Sequence, residues 1–359
     1  MSGAAPDPAA LRIAHVGPVA NAIPPPRSGS VQTMTSLLTE GLVARGHDVT
    51  LFATGDSRTR AKLHAVFPRG YWEDAALWPW ELCEMFNLAA AVERAAAFDI
   101  IHYEAVSYPM SLAFTRLTPV PIVQTLHHAP SPAEVALWSR YPDAPFIAIS
   151  REQAALLGGL NVVATVPHAI DTGGFPFSPS PTPAPDDYLL FLGRFTEGKG
   201  VVAAIDVAKR AGLRLLLAAA PNDYYRERVA PLVDGTQIVY AGEADHAAKV
   251  RLYGGARALL YPVQAREPFG LVLAEAMTCG TPVAALDRGA VREVVDDGVT
   301  GCVFDTVDEM VAGLPGVLAL DRSLVRAHAL RKFGVDRMVD GYVGAYRRII
   351  GGAHARIAG

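Results

Sequence analysis

Short apolar runs that return at intervals, each followed by a polar loop and a helically spaced segment, constrain this chain more than any other feature. They lie at 11–17, 49–53, 98–103, 120–125, 146–149 and 162–166, and again at 188–192, 213–217, 237–240, 258–263 and 282–286. Runs this short, with so few polar positions, suit strands covered on both faces, as in a parallel sheet whose crossovers are helices. The first helix is clear: Val31, Met34, Leu37, Leu38 and Leu42 recur at helical spacing, and Gly46 stops it. A strand, loop, helix, strand opening starts a doubly wound sheet, with ligand-facing loops at the carboxyl ends of its strands. Between the two series, 175–187 carries Pro176, Pro179, Pro181, Pro183 and Pro185, the composition of an extended linker and not of a packed element. The chain therefore reads as two α/β domains, 1–170 and 171–335. A closing helix follows, with Met338, Tyr342, Tyr346 and Ile349 on one stripe.

The 359 residues suffice for two cores, and 51% hydrophobic with 19% charged residues fits well-covered sheets. A net charge of -4 offers no field to nucleic acid or an anionic membrane. Cys83, Cys279 and Cys302 are too few and too scattered for a disulfide framework or a zinc site, which favours a reducing compartment. The first ten residues lack the basic and apolar regions of a secretory signal, and no apolar run reaches spanning length, so the expected location is cytoplasmic. Trp72, Trp78 and Trp80 cluster among Glu73, Asp74, Glu81 and Glu84. Core and loop packing is the preferred reading of them, ahead of an acceptor platform.

The stretch 266–280 holds the densest chemistry. Glu267 falls in the loop after a buried strand, and Glu275 falls just over one turn into the following helix, so both carboxylates can face one crevice. Pro268 and Gly270 open the helix, leaving amides near Phe269, Gly270, Leu271 and Val272 for an anion. Carboxylates beside an anion site make sense if the ligand has hydroxyls flanking a diphosphate. A second constellation, Gly193-Arg194-Phe195-Thr196-Glu197-Gly198-Lys199-Gly200, sets two cations at a strand-to-helix junction. At another strand tip, His127-His128 offers one polar contact; no third ligand at usable spacing makes it a metal fragment.

With Gly-Arg-x-x-x-x-Lys-Gly at 193–200, Glu-x7-Glu at 267–275 and Asp-Gly-Val-Thr-Gly at 297–301, the chain resembles retaining glycosyltransferases of the GT-B architecture, family 4 in particular. The resemblance implies two Rossmann-like domains facing across a cleft, the first (1–170, rejoined by a last helix at 336–359) binding acceptor, the second (171–335) binding a nucleotide sugar. It implies that Arg194 and Lys199 hold the diphosphate, Glu275 the ribose and Glu267 a sugar hydroxyl. His127 would lie by the donor sugar, and Gly29 where a glycine-rich loop approaches the diphosphate. His168 reads as a packing residue. The implied reaction moves a hexose from a nucleoside-diphosphate sugar, a UDP-sugar ahead of GDP-mannose, to a hydroxyl acceptor with retention. No Asp-x-Asp occurs, so no metal is expected, and no other cofactor. Three other readings compete. A glycoside hydrolase shares the paired carboxylates but has no need of the cations. A GT-B nucleotide-sugar epimerase would work without an acceptor. A non-catalytic two-domain sugar-binding protein would share the layout.

Overall fold

The computed structural model describes residues 10–27 and 29–358, with side chains up to 353. The amino-terminal tail through residue 9, and Ser28 of the glycine loop, lie outside the described residues. The chain forms two compact units, Met1–Ala169 with Val335–Gly359, and Ile170–Gly334.

In the first unit the elements are β1 Arg12–Val16, α1 Ser30–Ala44, β2 Asp48–Phe52, β3 Lys62–His64, α2 Trp80–Val92, β4 Ile100–Ala105, β5 Ile122–Leu126, α3 Pro132–Trp138, β6 Pro145–Ala148, α4 Arg151–Leu156 and β7 Asn161–Thr165. Its sheet is parallel throughout, in the order β3-β2-β1-β4-β5-β6-β7. The second unit has β8 Leu189–Leu192, α5 Val201–Ala211, β9 Leu215–Ala218, β10 Ile238–Gly242, α6 His246–Gly255, β11 Ala258–Tyr261, α7 Leu271–Thr278, β12 Val283–Leu286, α8 Val291–Val294, β13 Gly301–Phe304, α9 Val307–Leu318 and α10 Arg322–Lys332. Its parallel sheet runs β10-β9-β8-β11-β12-β13. Strand order thus reverses between β1 and β4 and again between β8 and β11, and crevices at such reversals are where doubly wound folds take ligands.

The cores follow the apolar runs. Ile13, Ala14 and Val16 of β1, all six residues of β4 and all five of β5 are buried, as sheets covered on both faces require. The last helix, α11 Val335–Ala358, packs the anticipated stripe of Met338, Tyr342, Tyr346 and Ile349 into the core of the first unit. It crosses α1 at Gly41, where a Cβ would collide with Val339.

Three expectations need correction. Strands β3 and β13 escape the sequence reading because both are short edge strands: β3 is three residues with Lys62 and His64 in it, and the apolar part of β13 is only Cys302-Val303-Phe304. The proline-rich segment has no regular structure, yet it is a strap packed onto its own unit: Phe175 is buried, and the Ser178 and Thr182 amides donate to the Cys279 and Gly255 carbonyls. The tryptophans divide. Trp138 is core and Trp80 stacks on Tyr108, but Trp72 and Trp78 are 66% and 76% exposed, so packing does not account for them. They sit in the turn segment ahead of α2, outside the layers that cover the sheet. Among the described residues no helix is long and apolar enough to cross a membrane.

Candidate active site

The reversal point of the second sheet is built by one loop clamping another. After β8 the chain passes Arg194 and makes a tight turn through Glu197–Lys199 into Gly200, which has φ 76° and opens α5. A Cβ at Gly200 would run into the Pro262 carbonyl oxygen, so only glycine lets this turn lie against the loop after β11. The Gln264 and Ala265 amides both donate to the Gly198 carbonyl, at 2.9 and 3.1 Å. This clamp delivers Lys199 to Glu267. The ammonium lies 2.5 Å from Glu267 Oε2 and 3.4 Å from the Tyr261 hydroxyl, which donates to the same carboxylate oxygen. Burial first, then the neighbouring Glu267, hold the Tyr261 phenol well above its ordinary range, so it remains a protonated donor. Arg194 is exposed, and its charge is felt at Tyr261, where it opposes that rise.

Glu267 is fixed from behind by a bridge to Gly289, with the Ala290 amide donating to its carbonyl at 2.8 Å. Gly289 has φ 67°, and a Cβ there would strike the Glu267 backbone. Three residues on, Gly270 with φ 90° starts α7, and no side chain caps the amides of its first turn at Leu271 and Val272. The Phe269 side chain is buried edge-on against Phe333 and does not face a ligand. One turn into α7, Glu275 accepts from the Tyr253 hydroxyl at 2.7 Å, with the Lys249 ammonium 3.7 Å from its other oxygen. Each glutamate is therefore held by one tyrosine and one lysine. The sequence reading treats cations and carboxylates as separate ligand contacts; the fold makes Lys199 and Glu267 one charge-balanced pair.

In the first unit, Gly29 precedes α1, and its carbonyl takes both the amide and the hydroxyl of Thr33. The loop leading to it is pinned from α2: the Val19 amide donates to Glu84 at 3.1 Å, and Asn87 donates to the Gly17 carbonyl. Burial drives the Glu84 carboxyl up from 4.5 to about 7, offset only in part by the Val19 amide and Tyr71. A carboxyl whose folded pKa is raised binds its proton more tightly in the folded chain. Its contribution is therefore harmless below about pH 4.5 and lowers stability progressively as pH climbs to about 7. The full effect is about 3 kcal/mol. Glu84→Gln should show a shallower fall of unfolding free energy across that window in urea titrations at stepped pH; parallel wild-type and variant curves would refute this.

His127, at the tip of β5, has Nε2 2.7 Å from Glu104 Oε2, and its ring stacks on His168 at 5.2 Å. His168 is buried, and burial lowers its pKa to about 3, so it packs as a neutral ring. His128 belongs elsewhere: it meets Glu134 of the capping box that starts α3. The other Glu104 oxygen lies 2.8 Å from His15 Nε2, and His15 stacks on His102 at 4.9 Å. His102 is bound on both nitrogens, by Thr125 and Tyr346, each at 2.8 Å. A separate group that spacing along the chain does not reveal, His15, His102 and Glu104, has its ligand atoms within 4.8 Å of one another; neither His127 nor His128 belongs to it.

Residues 177–326 match the family of glycosyl transferases group 1, and residues 31–173 match Glycosyltransferase Family 4. The chain is a glycosyltransferase of the family 4 type, with the GT-B fold. The phosphatidyl-myo-inositol mannosyltransferase of Mycolicibacterium smegmatis is 26% identical over 87% of this chain and 86% of its own length. The D-inositol 3-phosphate glycosyltransferase of Acidothermus cellulolyticus is 32% identical, but over 44% of this chain and 40% of its own length. Among solved structures, a glycosyltransferase involved in avilamycin A biosynthesis superposes with a TM-score of 0.71 at 25% identity, covering 95% of this chain and 98% of that one.

Within this glycosyltransferase the sequence reading missed Tyr261, Tyr253, Lys249 and Glu104. Lys249 and Tyr253 stand four apart on α6, a spacing that puts them on one helix face and is visible in the sequence. Tyr261 ends an apolar run and looks like core; Glu104, a charge inside a β-run, is the signal that was available.

Proposed function

We propose that this glycosyltransferase moves a hexose from a nucleoside-diphosphate sugar to a hydroxyl acceptor, with retention at the anomeric carbon and without a metal. The observation that carries this is the Lys199–Glu267–Tyr261 cluster at the uncapped start of α7, with Glu275 one turn further on the same helix. In this reading the second unit takes the nucleotide sugar and the first the acceptor. Arg194, Lys199 and the amides at Gly270, Leu271 and Val272 receive the diphosphate, Glu275 the ribose hydroxyls and Glu267 a hydroxyl of the sugar. Gly29 approaches the diphosphate, and His127 meets the donor sugar. When the anomeric carbon–oxygen bond breaks, negative charge grows on the departing diphosphate. Fixed donors strengthen with that charge and need little reorganisation.

A UDP-sugar is the favoured donor and GDP-mannose the second, since one relative is a mannosyltransferase. Both named curated relatives point to inositol-bearing acceptors for the first assays. The cysteine usage favours the cytoplasm. The test is a panel of nucleotide sugars scored for nucleotide release, with and without acceptors, in buffer containing a chelator. Release that needs an acceptor, persists in chelator and yields a retained anomeric linkage is expected. Acceptor-independent conversion would turn the reading to epimerisation or hydrolysis, and loss of activity in chelator would remove metal independence.

A further inference from the structure

We propose that Glu104 is a positioning residue: it dictates which nitrogen of His127 carries the proton, and so makes His127 a hydrogen-bond acceptor toward the sugar. The inference rests on the assignment of His127 to the donor sugar and deepens it. Glu104 is buried on β4, next to the reversal point of the first sheet, with one oxygen toward His127 and the other toward His15. Burial opposes its charge, but neighbouring His102 and the hydrogen bonds from His127 and His15 overcome that and hold the carboxyl well below its usual range. An ionised carboxylate has no proton to give, so both imidazoles must donate from Nε2. For a neutral His127 this leaves Nδ1 as the lone-pair nitrogen, able to take a hydrogen bond from a hydroxyl.

The backing extends inward. His15, the second donor, has its Nδ1 2.7 Å from the Thr39 hydroxyl on α1 and lies flat against His102. The Glu104 carboxylate is thus set from both sides before it meets His127. A metal-binding role for His15, His102 and Glu104 fits the contacts less well. The His15 Nε2 to Glu104 separation of 2.8 Å is that of a hydrogen bond, and His102 Nε2 is taken by Thr125. Mere packing does not explain the residue either: the flanking positions on β4 are Tyr103 and Ala105, and buried charge is costly compared with such groups. The groups facing His127 are Glu104 from β4 and His168 from the segment after β7, the latter neutral.

The experiment is long-range proton–nitrogen correlation on the wild-type enzyme labelled with 15N-histidine, the His127 signals being assigned by their loss in His127→Asn. At neutral pH, His127 should show a protonated Nε2 and a lone pair on Nδ1; the opposite tautomer overturns the proposal. Kinetics supply the second readout. Glu104→Gln keeps the shape of the side chain and should lower kcat on the order of 100-fold, with the donor KM within about threefold. Combined with His127→Asn it should add nothing, because its effect passes through His127. A Glu104→Gln loss that is undiminished in the His127→Asn background makes Glu104 structural and overturns the proposal. A fully active His127→Asn, with the Nε2–H tautomer present in wild type, would remove His127 from the sugar while supporting the tautomer control. If Glu104→Gln does not fold, the wild-type spectrum still decides.

Discussion

Lys199→Ala should lower turnover on the order of 100-fold in an enzyme that remains folded, the usual loss when one fixed donor to a developing negative charge is removed. The geometry adds to this. Lys199 lies 2.5 Å from a glutamate that is 7% exposed, so its removal leaves that carboxylate with Tyr261 and without its counter-charge. An uncompensated buried charge costs several kcal/mol or draws in a proton, and a protonated Glu267 no longer accepts two hydroxyl donors as an ionised one does. In the proposed site Lys199→Ala therefore damages the diphosphate and sugar contacts together, and both kcat and donor KM should suffer. Lys199→Arg keeps the charge but replaces a compact ammonium with a planar fork, and should recover part of the loss. Initial rates at varied donor, alongside circular dichroism melts, provide the check. A folded Lys199→Ala enzyme with wild-type turnover would exclude this cluster as the site of chemistry.

The architecture was legible because a parallel sheet covered on both faces leaves little room for polar residues, so each inner strand announces itself as an apolar run. The same rule hides what lies at the strand tips. Tyr261 closes an apolar run and passes for core, yet its hydroxyl organises Glu267. The contact of Lys199 with Glu267 spans 68 residues and exists only because Gly198 and Gly200 let one loop lie on another, a packing event with no local signature. His15, Glu104 and His127 are similarly remote, and become neighbours only because the order β2-β1-β4-β5 puts their strands side by side. Carboxylates and cations read from local spacing alone could be named, but their mutual pairing could not. The strap at 175–187 misled for the opposite reason: prolines exclude regular structure there, but they do not exclude docking by the residues between them, whose amides and carbonyls at Phe175, Ser178 and Thr182 bond to the rest of the unit.

That docking depends on Arg322, and Arg322→Ala should cost about 3–5 kcal/mol, since it leaves several buried acceptors unsatisfied at roughly 1–3 kcal/mol each and opens a void. The guanidinium is 8% exposed and donates to the Ser178, Ala256 and Gly254 carbonyls and the Thr281 hydroxyl, all at 2.8 to 2.9 Å. No carboxylate is among these four acceptors; burial lowers the arginine from its ordinary range, but four acceptors at hydrogen-bond distance let it stay charged. Alanine would leave those acceptors buried around a void, and Arg322→Lys, with three donors and no planar fork, should recover only part. A fall of roughly 10 °C in melting temperature is expected for a unit of this size, with earlier proteolytic cleavage in the strap. The effect reaches the site through α6. Gly254 and Ala256 end that helix, and Tyr253 beside them, packed on Phe175 of the strap, holds Glu275. Loosening this corner should raise the donor KM more than it lowers kcat, because the role proposed for Glu275 is at the ribose, away from the bond that breaks. A stable Arg322→Ala enzyme, or one whose loss falls on kcat alone, would show that the strap and the ribose site are not coupled through this residue.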